Sequence, residues 1–402
     1  MNVFSLSTST YDLQDKIHFY SMSSNSTKYV CNQSVANKIN KLKEQINRVD
    51  DLWDYTKKMT NPYEYIHTII PNTNISIAKY KPLSRAYFKM IEIIDVFNLT
   101  WDHPIRSFHL AEGPGGFIEA LFRRRRNHQD KYVGMTLVTS KHHTPGWRKA
   151  KRFLSKWKER IRIEPGYDKT GNLFVYDNYT HLKDSNKNTY DLVTGDGGFD
   201  FSICYNMQEC LSSRLVFAQI VYALMLLNDN GVFVLKLFDC YTRATLDMIW
   251  ILCSVFNEVQ IIKPYTSRYA NSERYIVCKG YRYTAGQRLL PKLEFILEKL
   301  ETPPPGMNIE RLLSIELPLQ FMNEMNEINS IFAQQQTEMI QTTLSIIDMN
   351  EKDRNERLRT MQYNNIQKCI RWCKNHNEHF TKLNTSYADA LSNDKYRSPA
   401  LR

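Results

Sequence analysis

A chain of 402 residues with a 42% hydrophobic share has enough apolar content for packed cores, which excludes wholesale disorder. A net charge of +11 favours a polyanionic partner, either nucleic acid or an acidic membrane surface. Eight cysteines scattered without a framework suit reduced thiols rather than a disulfide-stapled secreted domain.

Met1–Asp12 lacks the basic start and apolar block of a secretory signal. The longest strongly apolar run, Leu215–Leu227, is short and carries Gln219, so it reads as a buried helix and no membrane span is expected. These features lead us to expect a soluble intracellular protein, nuclear or cytoplasmic. Residues 1–34 are rich in Ser, Thr, Asn and Tyr without a period and read as a flexible lead-in. From Ala36 to Met59, the residues Ile39, Leu42, Ile46, Val49, Leu52 and Trp53 recur at helical spacing. Pro62 and Pro71 punctuate a connector, and a second helix is expected over Leu83–Phe97, with Ala86, Met90, Ile93 and Ile94 on its apolar side and Lys89 near its middle.

An alternation of apolar strands and amphipathic helices follows. Strands are expected near Ser107–Ala111, Tyr132–Leu137, Arg160–Glu164, Asp191–Thr194, Gly231–Lys236, Val259–Lys263 and Arg274–Lys279. Helices are expected near Gly116–Arg125, Trp147–Trp157, Gln208–Leu227 and Arg243–Phe256. Such alternation argues an α/β fold, a Rossmann-like doubly wound parallel sheet with right-handed crossovers. The last two strands leave no room for an intervening helix and should form an antiparallel pair at one edge. Beyond residue 283, Pro303-Pro304-Pro305 breaks the chain, and Asn329–Asn375 reads as one or two long helices with a possible pairing surface for a protein partner. The polar tail Ser386–Arg402 reads as frayed. The resulting partition is a helical or flexible N-terminal extension (1–79), a central sheet domain (80–282) and a C-terminal helical extension (283–402).

The central feature is Phe108-His109-Leu110-Ala111-Glu112-Gly113-Pro114-Gly115-Gly116-Phe117, an apolar strand running into a glycine turn and a helix. Small residues let a ligand approach the backbone, and the first turn of the helix presents unpaired N–H groups to it. The same residues also make an ordinary tight turn. Four charged residues stand out downstream and upstream: Lys89, Asp196 in Gly195-Asp196-Gly197-Gly198, Lys236 in Leu235-Lys236-Leu237-Phe238, and Glu273 in Asn271-Ser272-Glu273-Arg274-Tyr275. Asp196 and Lys236 directly follow or end apolar strands, which places them at the carboxyl edge where open parallel sheets bind ligands. If the last strand runs antiparallel, Glu273 arrives at the same edge, and Lys89 can reach it from the preceding helix. For any one such residue alone, a surface ion pair is the commoner role.

Taken together, these segments resemble the FtsJ-like (RrmJ) family of S-adenosylmethionine-dependent ribose 2′-O-methyltransferases, closest to its cap-methylating eukaryotic and viral branch. The order Glu112-Gly113-Pro114-Gly115-Gly116-Phe117, Gly134-Met135-Thr136-Leu137, Asp196-Gly197-Gly198-Phe199, Lys236-Leu237-Phe238-Asp239 and Thr266-Ser267-Arg268 through Tyr275 carries the likeness over residues 80–282. The resemblance implies a catalytic tetrad at Lys89, Asp196, Lys236 and Glu273. It implies S-adenosyl-L-methionine as cofactor, held by Glu112, Gly113, Pro114, Gly115, Gly116 and Phe117 with Asp196 beside the methyl donor. It further implies RNA as partner, in the form of the capped mRNA 5′ end.

The chemistry agrees with this reading. Moving a methyl from a sulfonium to a ribose hydroxyl needs an in-line approach with reacting atoms about 3 Å apart. The hydroxyl is a poor nucleophile until its proton is accepted or shared. A desolvated lysine near a second cation can serve as base, the role expected of Lys236, with Lys89 as the neighbouring cation and Asp196 and Glu273 holding both ammonium groups. The other role open to Lys236 is to stay protonated and stabilise the developing alkoxide.

Several further features have two readings. The strand ending at Leu137 carries no ribose-binding acid, so ribose contacts are expected from backbone near Leu137. Asp168 and Asn172, in the loop from Pro165 to Leu173, are either adenine-side contacts or turn residues. Arg123–Arg126 suits a helix C-terminus through the macrodipole, or tracks an RNA backbone together with Lys141, Arg148, Lys149 and Lys151. Cys369, Cys373, His376 and His379 lie as a stripe along one helix rather than as a tetrahedral cluster, so no metal is expected. Two functions compete with cap methylation: the same chemistry on ribosomal or transfer RNA, and a non-catalytic RNA-binding or assembly subunit with this fold.

Overall fold

The computed structural model describes residues 2–22, 28–138, 146–198, 205–304 and 306–382. Two expectations, an RNA-tracking Lys141 and the frayed tail Ser386–Arg402, lie outside the described residues. The strands are β1 (Val3–Leu6), β2 (Ile17–Met22), β3 (Arg106–Leu110), β4 (Lys131–Met135), β5 (Ile161–Ile163), β6 (Tyr190–Gly195), β7 (Leu227–Leu237), β8 (Phe256–Ile262), β9 (Arg274–Tyr281) and β10 (Asn308–Leu313). The helices are α1 (Gln33–Ile46), α2 (Asp50–Thr60), α3 (Ala86–Phe97), α4 (Gly116–Arg125), α5 (Lys151–Lys156), α6 (Tyr176–Asn186), α7 (Gln208–Leu226), α8 (Arg243–Val255), α9 (Tyr283–Lys299), α10 (Leu319–Ile347) and α11 (Glu351–Asn375).

Among the described residues, eight strands form one sheet in the order β1-β8-β9-β7-β6-β3-β4-β5. Strands β7, β6, β3, β4 and β5 are mutually parallel, and β9 runs antiparallel to both β7 and β8. This is the Rossmann-like doubly wound sheet expected from the strand–helix alternation. Its parallel strands read as unbroken apolar runs because helices cover both faces: in β3, Ser107, Phe108, His109 and Leu110 are all buried. Helix α7 is apolar all round for the same reason, being mostly buried within the fold, although its length and composition would also suit a membrane span.

The structure departs from expectation at several elements. The lead-in is not patternless: β1 pairs antiparallel with β8, so the outermost strand is β1 rather than a member of the β8–β9 pair. A second small sheet joins β2 to β10, two segments distant in the chain. Both pairings are long-range, and short polar strands carry no local period that would announce them. The single helical stretch expected over Ala36–Met59 is broken into α1 and α2. The helix expected over Trp147–Trp157 begins as a 3-10 turn, Trp147–Ala150, before α5. Helix α6 went unseen because its sequence is largely polar; it is held by Tyr179, whose hydroxyl donates to Glu294 Oε1 of α9 at 2.7 Å. The two long C-terminal helices are α10 and α11, and their apolar residues, among them Phe321, Met325, Ile340, Leu358, Ile366 and Trp372, are buried within the chain.

The chain divides into two compact units. One comprises the described residues up to 36 together with 83–264 and 273–331, and contains the large sheet. The other comprises 37–82, 265–272 and the described residues from 332 onward. Its core joins Leu42, Ile46, Trp53, Ile340 and Ile347, with Ala270 packed against them. The short segment 265–272 is tied into this unit by Arg268, whose Nη2 and Nε meet Glu64 carboxylate oxygens at 2.6 and 3.0 Å, and by Gln336, which donates to the Ala270 carbonyl at 3.0 Å. In the same unit Cys369 and Cys373 point inward and the His376 ring lies against Trp372, 4.5 Å between centroids.

One buried group in the sheet gives a pH prediction. His109 of β3 shares hydrogen bonds with Ser107 Oγ and Thr194 Oγ1, each at 2.8 Å. Burial pushes its imidazole down to about 3 from an ordinary 6.5. The unfolded chain therefore binds a proton that the folded chain refuses, and stability falls as pH drops from 6.5 toward 3. At pH 5 the loss from this residue is about 2 kcal/mol. Chemical denaturation of the wild type and His109→Gln at pH 7.5 and 5 should differ in their pH-dependence by that amount; identical slopes would refute it.

Candidate active site

The glycine turn leaves β3 at Ala111, which sits in the left-handed region (φ 52°), and closes through the Gly115 N–H, which donates to the Glu112 carbonyl at 2.8 Å. Gly115 has φ 108°, a conformation that side chains disfavour. A Cβ at Gly116 would land on Ser84 Oγ and lie 3.0 Å from the Tyr87 backbone nitrogen, so α3 and α4 approach each other where only glycine fits. Phe117 is fully buried and packs toward Tyr275, 5.9 Å between ring centroids.

The expected bare helix N-terminus is corrected here. Glu112 Oε1 accepts the Phe117 N–H at 2.7 Å and the Ile118 N–H at 3.1 Å, because the turn folds this carboxyl back over the first turn of α4. Those two groups are satisfied internally, which leaves the turn backbone and side chains as the ligand-facing surface. Burial, reinforced by the Asp196 carboxylate, pushes Glu112 well above the usual carboxylate range despite the two amides.

Asp196 directly follows β6, Lys236 is the penultimate residue of β7, and Glu273 directly precedes the antiparallel β9, so all three reach one sheet edge. Lys89, in the first turn of α3, joins them. Lys89 Nζ lies 2.7 Å from Glu273 Oε1, with both side chains about nine-tenths buried. Lys236 Nζ lies 3.3 Å from Asp196 Oδ1 and donates to the Asp196 carbonyl at 2.7 Å. Burial draws the Lys89 ammonium below the ordinary lysine value, with Arg85 and Lys236 pushing the same way and Glu273 and Asp196 opposing. The two lysines are thus held as two neighbouring ion pairs.

Tyr275 links the pairs, and the sequence reading missed it. Its hydroxyl donates to Asp196 Oδ1 at 2.7 Å, and its ring lies 5.9 Å from Lys89 Nζ. Burial, with the Asp196 and Glu273 carboxylates, raises its phenol well above the ordinary value, so it stays a donor. The available signal was the period of two: Glu273 and Tyr275 share a face, while Arg274 points the other way, to Asn329 Oδ1 at 2.8 Å.

Asp168 and Asn172 are engaged within their own loop. Asp168 Oδ1 accepts the Thr170 N–H and the Asn178 side-chain amide, both at 2.9 Å, and Asn172 Oδ1 accepts the Phe174 N–H at 3.0 Å. These oxygens organise their own turn, which meets the end of β4 through the Val138 N–H donating to Thr170 at 2.6 Å. Of the arginine run, Arg124 pairs with Asp95 at 2.6 Å, and Arg125 pairs with Asp130 and donates to the Trp101 and His103 carbonyls. Arg148, Lys149 and Lys151 are exposed.

Residues 82–281, the span that carries this edge, match the family model of FtsJ-like methyltransferases. The chain carries an FtsJ-like methyltransferase domain. Over 352 residues it is 27% identical to a zebrafish (Danio rerio) cap-specific mRNA (nucleoside-2′-O-)-methyltransferase 2, covering 82% of this chain and 45% of that protein. It is 32% identical to the mouse (Mus musculus) cap-specific mRNA (nucleoside-2′-O-)-methyltransferase 1 over 55% of this chain and 27% of that one. The corresponding enzyme 1 of Trypanosoma cruzi is 28% identical over 65% of this chain and 74% of its own length. The chain thus spans less than half the length of the two animal relatives.

Two buried polar atoms beside the glycine turn fit the polar cofactor that FtsJ-like methyltransferases use. Ser84 Oγ, against Gly116, and Trp147 Nε1, whose ring lies against Gly115 and Gly134, are buried without hydrogen-bond partners. Unpaired buried polar atoms beside a glycine turn fit a ligand rich in donors and acceptors, as S-adenosylmethionine is. Together with the turn 112–117 and Asp196 they are the residues that would hold it.

Proposed function

We propose that this chain methylates the ribose 2′-hydroxyl of a nucleotide next to the 5′ cap of mRNA. The observation that carries the reading is the meeting of Lys89–Glu273 and Lys236–Asp196 beside the glycine turn. The names of the relatives support the capped substrate, and the charge of +11 suits a polyanion.

When bound, S-adenosylmethionine supplies an electrophilic methyl on a sulfonium. The chain supplies the rest. Lys236, as the uncharged amine, would take the proton given up by the ribose hydroxyl while the methyl leaves the sulfonium sulfur, which departs as a neutral thioether; Asp196 orients Nζ through its carboxylate and carbonyl. Lys89, neutralised by Glu273, places a cation next to the developing alkoxide. Tyr275 fixes the Asp196 carboxylate, and the buried walls exclude water from the pair. Asp168 and Asn172 shape the loop beside β4 on the cofactor side, and exposed Arg148, Lys149 and Lys151 offer phosphate contacts. The soluble setting is that of mRNA processing, in nucleus or cytoplasm.

The test is transfer of labelled methyl to capped and uncapped RNA of one sequence, with the modified ribose mapped. Incorporation confined to the first nucleotides of capped RNA is expected. Equal labelling of both RNAs would move the substrate to another RNA class, and absence of S-adenosylmethionine binding by calorimetry would favour the non-catalytic subunit.

A further inference from the structure

We propose that Lys263 is a positioning residue that latches the neck of the β8–β9 connection and so holds Glu273 in register with Lys89. It rests on the ribose-methylation reading for its kinetic consequence only.

Strands β8 and β9 pair up to Ile262↔Tyr275, and beyond that point the ladder ends. The chain then leaves the sheet unit after Pro264, passes through 265–272 within the other compact unit, and re-enters at Glu273. Glu273 is therefore the first residue after an excursion, directly ahead of the strand. Lys263 Nζ donates to the Glu273 carbonyl at 2.6 Å, joining the last residue before the excursion's proline to the first residue after it. A side chain thereby does across the neck what the ladder does within the hairpin.

The residue type is informative. Lys263 is 7% exposed, and an apolar side chain would fill such a place without the cost of burying an ammonium. Burial draws it down to about 7; Glu273 and Asp239 oppose that shift, while Arg274 and Lys89 add to it. Those four, from the start of β9 and the residue before it, the segment after β7 and α3, are charged groups that face it, and the amine donates to the carbonyl in either protonation state. What lysine contributes here is a polar tie, and the tied residue carries the carboxylate 2.7 Å from Lys89.

The test compares Lys263→Met with Lys263→Arg. Loss of the tie in Lys263→Met should lower kcat about 100-fold, the cost of a misplaced catalytic group, with the RNA KM and the S-adenosylmethionine Kd within about threefold of wild type. Lys263→Arg keeps a donor of similar reach and should restore kcat to within about tenfold of wild type. Amide exchange across 263–275 should rise at least tenfold in the Met chain and stay protected in the Arg chain. If the Met chain is too unstable to assay, Lys263→Gln, one atom shorter than lysine, is read by the same criteria. Wild-type kcat or unchanged exchange in the Met chain overturns the latch, as does equal loss in Met and Arg chains. The exchange measurement needs no turnover, so an inactive wild type would sink the methylation reading while leaving the latch tested.

Discussion

Lys236→Ala should lower the rate of methyl transfer by about 10³-fold, the contribution typical of a positioned base, while S-adenosylmethionine still binds within a few-fold of wild type. The retained affinity follows from the geometry: Lys236 Nζ contacts Asp196 through its carboxylate and carbonyl, whereas the glycine turn closes on itself through Gly115 and Glu112. Lys236→Arg separates the two roles open to this residue. An arginine keeps the charge and cannot release a proton near neutrality, so it fails as a base and succeeds as an electrostatic stabiliser. Recovery of Lys236→Arg to within tenfold of wild type would reassign the residue; normal turnover in Lys236→Ala would remove it from the chemistry.

Glu273→Ala should cost both activity and fold. Its carboxylate is the 2.7 Å partner of Lys89, and both side chains are about nine-tenths buried. Removing one member of a buried pair strands the other charge, at about 3–5 kcal/mol. A thermal melt well below wild type is expected, with methyl transfer lost. The double replacement Lys89→Met, Glu273→Leu removes both charges and should recover much of the stability, since an apolar pair of similar volume carries no desolvation cost. It should recover none of the activity. If the double variant melts as low as Glu273→Ala, the stability loss comes from the loop rather than from the stranded lysine.

The parallel half of the sheet was legible because burial on both faces leaves apolar runs such as Phe108–Leu110 and Leu192–Val193 with no competing period. The glycine turn was legible because few residues but glycine serve at Gly115 and Gly116, one for its φ and one for its lack of a Cβ. Other parts were silent. Val3–Leu6 gives no local sign that it will pair with Val259–Ile262, some 250 residues on, and Tyr176–Asn186 hides its helix in polar residues held by Tyr179. The Cys369–His379 stripe showed its spacing in the chain, and only burial showed which of its side chains turn inward.

At the candidate site the same division holds. By itself the sequence determined which charges reach the carboxyl edge, because Asp196, Lys236 and Glu273 each adjoin a strand whose direction follows from connectivity. Only the tertiary structure decided the partnership of each lysine, 2.7 Å to Glu273 for one and 3.3 Å to Asp196 for the other. It alone revealed Tyr275 bridging to Asp196, Glu112 turned back on its own helix, and Lys263 closing the hairpin neck. The reason is physical: strand adjacency sets position to within a residue along the chain, whereas a hydrogen bond is decided within tenths of an ångström by packing from elements far apart in sequence.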